Sequence, residues 1–478
     1  MNQADFYQNY EIRLARALYR IEKRGMLMDM DRLKALRVEV SLAIDKEIAE
    51  IESEIKRPVV LSKAEAKGKA SSIWGNTSEV VVLQSPSQVT DLIESLGIKL
   101  KKSRKTKKPT SDSAALYSAL AESGSPVIHA LLKIRELGKI RSVDIDAPLH
   151  NDTLYGAFRA SGTDTGRRSS SANVFGLGTN LQNLPKWSDW AKKFRSCITA
   201  RPGKIFIQCD QKSAEDWVIN ALIADISGNE RGMNELRSGI NRHKKLAGFV
   251  FGLPESQIAK ESIQYYLAKR VRYAGSYGMW KWRMAETLAS EGKIVHPDEC
   301  GVLLDRFHLA EPDIKNVFQA WIENELRTKR ELTTPLGRCR QFFELRPLSN
   351  NSDVFRKGYA QIPQSTVGDN TGMAIVFIED RAPILLGESH DSVLGEIDDN
   401  EESVRGAAQL FAEAFDRKLR FSVRGYEINI PIETEIGYNL GHLHSCDFAT
   451  TGWIPIYREL AQAQKQRTHS TGGVLQQF

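Results

Sequence analysis

The chain has 478 residues, 41% of them hydrophobic and 26% charged, with a net charge of +6. Such a composition fits a soluble globular protein of about three domains, and the charge is compatible with a polyanionic partner without requiring one. No apolar run approaches the roughly 18 residues a membrane helix needs. The N-terminus MNQADFYQNYEIRL lacks the basic-then-apolar order of a secretory signal, and the five cysteines contain no Cys-x-x-Cys pair. Membrane insertion, disulfides and a zinc site are therefore not expected, and a reducing, cytoplasmic setting fits.

In chain order, Leu14, Ala17, Leu18 and Ile21 recur at helical spacing, so 8–57 reads as helix. The polar stretch 62–79 reads as a loop. Helical patterning returns at 87–97 and 112–143. Between these, residues 99–108 read KLKKSRKTKK, with seven Lys or Arg and no acid. Such a run is commonly a solvated loop; on a nucleic-acid enzyme it tracks phosphates. Residues 145–200, rich in Gly, Ser, Thr and Asn, read as strands and loops. Ile205-Phe206-Ile207 is an apolar strand that leads to Asp210. From 214 to 330 the pattern is mostly helical. In 383–398, short apolar runs flank Glu388-Ser-His-Asp-Ser392, which marks a hairpin. The last residues, about 25 of them, are polar and Gln-rich and read as a loosely held tail.

Nucleotidyl transfer needs divalent cations held by carboxylates, and Mg²⁺ accepts few protein ligands, so two aspartates can suffice. Asp210 at a strand end and Asp391 at a hairpin tip are rigidly placed for this, although a lone aspartate after a strand is usually a turn residue. Between them, Lys269, Tyr273 and Tyr277 stand four residues apart and share one helical face. A lysine with two aromatics can hold a triphosphate and stack on a base; the blander alternative is an amphipathic helix with buried tyrosines.

Taken in order, the motifs resemble those of family A DNA polymerases, the bacterial polymerase I and phage-replicase type, from about residue 11 to about 442. EIRLARALYRIEKRGMLMDMDRL resembles the opening helix of the polymerase region. LQSPSQ, KTKKPTSD and LLKIRELGKIRS resemble its thumb. Gly162 through Ser170 and Asn180 through Pro185 resemble its primer-template grip. CDQKSAEDW at 209–217 resembles its first catalytic motif, 269–278 its nucleotide-binding helix and Ser389-His390-Asp391 its catalytic hairpin. TPLGRCR at 334–340 and Arg356 through Thr366 are weaker matches.

The resemblance implies an α+β right-hand polymerase with an antiparallel palm sheet, helical thumb and helical fingers. It implies an N-terminal palm helix at 1–35, a thumb at 36–140, palm at 141–217 and 346–450, fingers at 218–345 and a C-terminal extension at 451–478. Asp210, Asp391 and the backbone carbonyl of Gln211 would hold two Mg²⁺, with Mn²⁺ able to substitute. Lys269 would contact the triphosphate and protonate pyrophosphate, and His243 would touch the same phosphates. Tyr273 and Tyr277 would face the nucleotide, and Glu215 would lie under the sugar and exclude a 2′-hydroxyl. Thr165, Arg167, Gln182, Asn183, Arg356, Gln364 and His390 would hold the primer-template, and Lys101, Lys102, Lys105 and Lys107 would follow its backbone. The expected partners are primer-template DNA and dNTPs, for a monomer with no membrane role and an unidentified processivity partner. No proofreading is expected, since the polymerase region starts within about ten residues of the N-terminus by the resemblance.

Several positions depart from the family pattern. Tyr265 stands where an arginine is expected, Ser213 and Trp217 replace Gln and Arg, and Ser392 replaces a carboxylate. Ala360 replaces an asparagine, for which Gln361 could substitute. Residues 171–179 are inserted into the grip motif. A phage-type single-subunit RNA polymerase shares the palm and the His-Asp-Ser hairpin but lacks a carboxylate at the Glu215 position. A catalytically inactive DNA-binding relative is the other alternative. Extension with dNTPs against rNTPs separates the three.

Overall fold

The computed structural model describes residues 3–62, 80–103, 106–186, 188–346 and 349–472. The chain divides into two compact units, the first made of 1–33, 147–278 and 307–478, the second of 34–146 and 279–306. Residues 279–306, which the resemblance assigns to the fingers, thus fall in the second unit.

The first unit is built on an eight-stranded antiparallel sheet. Its strands are β1 (Met26–Met28), β2 (Thr153–Leu154), β3 (Ile198–Thr199), β4 (Lys204–Gln211), β5 (Leu385–Ser389), β6 (Ser392–Asp398), β7 (Ile432–Asn439) and β8 (His442–Cys446). The spatial order is β5-β6-β4-β7-β3-β1-β2, with β8 beside β7. In the central strand β4, Ile205, Phe206, Ile207 and Cys209 are wholly buried, so both faces are covered. Register places Ser392 of β6 opposite Asp210 and Glu433 of β7 on its other side.

The helices of this unit include α1 (Ile12–Arg24), α2 (Asp189–Cys197), α3 (Ala214–Ser227), α4 (Arg242–Phe251), α5 (Ile263–Ser276), α6 (Ser352–Arg381), α7 (Glu401–Phe415) and α8 (Trp453–Gly472), of which α1, α2, α6, α7 and α8 pack on the sheet. In α1 the expected stripe of Leu14, Ala17, Leu18 and Ile21 is buried, and Arg24 meets Glu379 of α6 at 2.7 Å. The 30-residue α6 buries Ser365, Asp369, Asn370 and Thr371 as well as apolar groups.

The second unit is mainly helical, with helices at Pro86–Ser95, Ser113–Ser123 and Pro126–Lys139. Ile51, Val89, Ile93, Leu116, Ile128 and Leu131 form its core. In the basic strip, Thr110 donates its amide to Lys101 at 3.0 Å and Ser103 to Lys108 at 2.8 Å, so a tight ribbon carries Lys101, Lys102 and Lys107. Lys105 lies outside the described residues.

Three expectations change. The helix read over 8–57 is broken at Gly25, whose φ is +55° and where a Cβ would meet Thr153 Cγ2 at 2.5 Å. Strand β1 follows and interrupts the helix. The stretch read as strands and loops contains α2, capped by the Ser188 side chain, which accepts from the Ala191 amide at 3.2 Å. The C-terminal tail is helix α8 up to Gly472; its Trp453 and Tyr457 are buried, and the Tyr457 hydroxyl donates to Asp399 at 3.0 Å. The loop expected at 62–79 lies outside the described residues except for Ser62.

Candidate active site

Strand β4 ends at Gln211, and the hairpin of β5 and β6 turns through His390 and Asp391 beside it. The Gln211 amide donates to the Asp391 carbonyl at 3.1 Å. The Asp391 amide donates to Ser389 at 2.7 Å across His390, whose φ is +59°. A non-glycine residue in this region is strained and persists only where its surroundings hold it. Ser213, between Gln211 and Glu215, is also left-handed, with φ +49°.

Burial, followed by the charge of Asp391, pushes the Asp210 carboxyl up to about 7. Glu433 and Glu435 push the same way and Lys186 opposes them. This is concentrated negative charge on hard oxygen donors, which suits Mg²⁺. Among the described residues no group of three or more His, Cys, Asp or Glu could hold a metal, so the candidate donors are two aspartates and backbone oxygen.

The hairpin rests on buried polar side chains. Arg168, 2% exposed, donates to the Gly368 carbonyl at 2.7 Å and to the His390 carbonyl at 3.0 Å, and lies 2.9 Å from Glu388. Gln182 donates to Glu388 and, at 3.2 Å, to the Arg168 carbonyl. Thr371 of α6 also donates to the His390 carbonyl, at 3.1 Å, and accepts from the Gln211 side chain at 2.7 Å. Asn370 donates to Gln211 Oε1 at 2.7 Å and accepts from Arg417 at 2.8 Å. Gln182, expected to face DNA, is thus buried and spends its amide on Glu388 and Arg168. Gln361, considered as a stand-in for the asparagine missing at 360, is likewise buried, between Arg340 and Ser365.

Glu215 sits in the first turn of α3 and accepts from both Arg167 and the Tyr277 hydroxyl. Burial, then the Glu215 charge, holds the Tyr277 phenol well above its ordinary range. Tyr277 is therefore committed to Glu215. Tyr273, one turn earlier, is 43% exposed, and its ring lies 6.3 Å from that of His243. Burial, then Arg272, pushes the His243 imidazole down to about 4, so it is neutral near pH 7. Its Nδ1 is buried without a hydrogen-bond partner. Tyr265 packs edge-on to His243 at 6.0 Å and accepts from Asn241 at 3.4 Å.

Arg272 is no replacement for the arginine missing at 265. It is buried with Arg242 among Asp216, Glu235 and Glu311, at 3.0 Å from Glu311, and it joins α5 to α4 and α3. His390 is half-buried, and burial followed by Arg167 lowers its pKa. Arg356 pairs with Asp353; Asn183 is exposed, Gln364 half-buried and Thr165 buried. Asp210, Gln211, Glu215, Arg167, Tyr277, His390 and Asp391 are drawn together. Lys269 and Tyr273 join them through α5: the charge of Lys269 helps lower His243, and burial, then Glu215, Asp216 and Asp391, raises the Tyr273 phenol. The lysines of the basic strip belong to the second unit.

Sequence reading missed Arg168, Glu388, Thr371 and Asn370. An acid inside the apolar run ILLGES was a usable signal for Glu388. The partner of Arg168, 220 positions away in sequence, had no local signal.

An antiparallel sheet that aims two aspartates from a strand end and a neighbouring hairpin tip has the form of a polymerase palm. Residues 52–442 match DNA polymerase family A, and the chain belongs to that family. It is similar to the thermostable DNA polymerase I of Thermus aquaticus, 28% identical over 444 residues, covering 90% of this chain and 47% of that protein. It is similar to DNA polymerase I of Deinococcus radiodurans, 25% identical over 449 residues, covering 90% and 41%. The chain thus spans about half the length of these relatives. The polymerase domain of Pol1 from M. smegmatis, solved in complex with DNA primer-template and dNTP, matches with a TM-score of 0.73 at 19% identity, over 91% of this chain and 71% of that one. This likeness shows the polymerase fold. No helix among the described residues is long and apolar enough to cross a membrane.

Proposed function

We propose that the chain is a template-directed DNA polymerase that adds dNTPs to a primer 3′-hydroxyl and releases pyrophosphate. The observation that carries this reading is the meeting of Asp210 with Asp391, close enough that the charge of Asp391 adds to burial in raising the pKa of its neighbour. The M. smegmatis relative, which was solved with primer-template DNA and dNTP, supports the same partners here. Asp210, Asp391 and the Gln211 carbonyl would hold two Mg²⁺. Such ions activate the attacking hydroxyl and neutralise charge on the transferring phosphate.

The chain's own groups do the positioning. Lys269 contacts the triphosphate and supplies a proton to the leaving pyrophosphate. His243, neutral, offers a phosphate oxygen one N–H. Glu215, held by Arg167 and Tyr277, forms a fixed wall beneath the sugar that a 2′-hydroxyl would strike. Thr165, Asn183, Arg356, Gln364 and His390 line the path of the duplex, and such contacts position DNA without reading sequence. Thumb at 36–140, fingers at 218–345 and palm between and after them complete the proposal.

Primer extension on a defined template with Mg²⁺ and single nucleotides tests the reading. Template-matched dNTPs are incorporated and rNTPs rejected. Incorporation of rNTPs without a primer would point instead to an RNA polymerase.

A further inference from the structure

Lys186 directly follows the grip motif, which ends at Pro185, and the reading above gives it no role. It is exposed, and it makes no hydrogen bond or ion pair with the described residues. The sheet fixes where it stands. Side chains alternate between the faces of a strand. In β4, Cys209 and Gln211 are buried, and Gln211 turns to Thr371 and Asn370 of α6, so Gln208 and Asp210 share the opposite face. Lys186 lines a small cavity with Gln208, Ser389 and Ser392, and Ser392 stands opposite Asp210 in register. The two other charged side chains of this cavity are committed: Arg195 donates to the Leu440 carbonyl at 3.2 Å, and Glu388 is held by Gln182 and, at 2.9 Å, by Arg168. Lys186 thus brings an uncommitted cation to the aspartate side of the sheet, where its charge opposes the effect of burial and of Asp391 on Asp210.

We propose that Lys186 binds the last phosphodiester of the primer and so holds the terminal 3′-hydroxyl at Asp210. This rests on the polymerase reading above. The attacking hydroxyl has to reach Asp210 and Asp391, and the phosphodiester one sugar behind it arrives against their negative charge. The nucleotide has its own cation, Lys269 of α5. Lys186 stands on a different element, continuous with Asn183 of the grip motif. A lysine ammonium is a compact charge with three donors on a flexible stem, and it suits such an anion. The departure at Ser392 fits this use. The carboxylate that the family pattern expects there would face the same cavity and take the ammonium as its own partner; a hydroxyl leaves it free for DNA. A contact to phosphate positions the primer end without reading its sequence.

The test is a double-mutant cycle between protein and DNA, read as binding rather than synthesis. Wild type, Lys186→Ala and Lys186→Arg are compared for affinity to a fluorescent primer-template by anisotropy across a salt series, in EDTA so that no metal ion contributes. The primer is natural, or carries a neutral methylphosphonate at its last linkage or, as a control, further upstream. Lys186→Ala is expected to bind the natural primer roughly tenfold more weakly, the scale of one hydrogen bond between charged groups. Its slope of log affinity against log salt is expected to fall by about one counterion, and Lys186→Arg is expected to restore both. The methylphosphonate at the last linkage is expected to weaken the wild type alike and to cost Lys186→Ala nothing further, whereas the upstream substitution weakens both proteins equally. Losses that add at the last linkage overturn the proposal. So does a Lys186→Ala chain that binds the primer-template normally and only needs more dNTP for extension, which assigns the lysine to the triphosphate. A wild-type chain that neither binds nor extends the primer-template removes the polymerase reading and this contact with it; wild-type extension with additive losses removes the contact alone.

Discussion

The guanidinium of Arg168 donates to the His390 carbonyl at 3.0 Å and lies 2.9 Å from the Glu388 carboxylate, which fixes the backbone one residue before Asp391. Both side chains are buried, at 2% and 4% exposure. Breaking a buried ion pair leaves an uncompensated charge and costs about 3–5 kcal/mol. Arg168→Met is expected to lose stability on that scale in denaturant unfolding and to slow extension. Adding Glu388→Gln is expected to recover most of the stability but not the rate, because the His390 carbonyl has lost the Arg168 donor and keeps only Thr371. Wild-type stability in Arg168→Met would contradict the role assigned to the pair.

His243 supplies a pH dependence. Its folded pKa, about 4, is depressed below the ordinary value of 6.5 mainly by burial. Above 6.5 both folded and unfolded forms are neutral, and the stability contribution is complete. Between 6.5 and 4 the unfolded chain takes up a proton that the folded one refuses, so stability falls as pH falls. His243→Gln is expected to flatten this part of the stability curve. An unchanged acid limb would mean that His243 titrates normally.

Tyr273 predicts tolerance of dideoxynucleotides. Tyr273 is partly exposed, and its phenol would serve the polar partners left by a missing 3′-hydroxyl. An unmet buried polar group costs about 1–3 kcal/mol. Tyr273→Phe is therefore expected to discriminate against ddNTPs roughly tenfold to a hundredfold more than the wild type, with dNTP incorporation little changed. Equal discrimination by both would show that Tyr273 does not face the sugar.

The basic strip predicts a salt effect. Neutralising Lys101, Lys102, Lys105 and Lys107 together is expected to weaken duplex binding and flatten its salt dependence by roughly one counterion per lost phosphate contact. An unchanged slope would return the strip to a solvated loop.

The placement of the two aspartates was more legible than the scaffold around them. Asp210 and Asp391 stand in patterns set by local rules: an apolar strand, and a hairpin with short flanking runs. Both signals are short-range, and the structure joins them in register. Helix α2 was hidden because its apolar residues, Ala191, Phe194 and Cys197, sit among serines and lysines in a stretch dominated by turn formers. Helix α8 was hidden because composition suggested a polar tail, while its anchors find distant partners, Tyr457 in Asp399 and Trp453 in Arg405. Gln182 and Arg272 mark another limit. Their residue types suit DNA or triphosphate, but which way a side chain points is decided by partners such as Glu388 and Glu311, far away in sequence.

Asp210 and Asp391 are proposed as the metal-holding pair, and one experiment tests that directly. Extension of a labelled primer with Mg²⁺ and dNTPs is compared for the wild type, Asp210→Asn and Asp391→Asn, alongside duplex affinity for each. Metal ligation needs the carboxylate charge, whereas duplex grip comes mainly from cationic and neutral groups. Both variants are expected to bind the duplex nearly as the wild type does and to extend nothing. Robust extension by either variant would contradict the central claim.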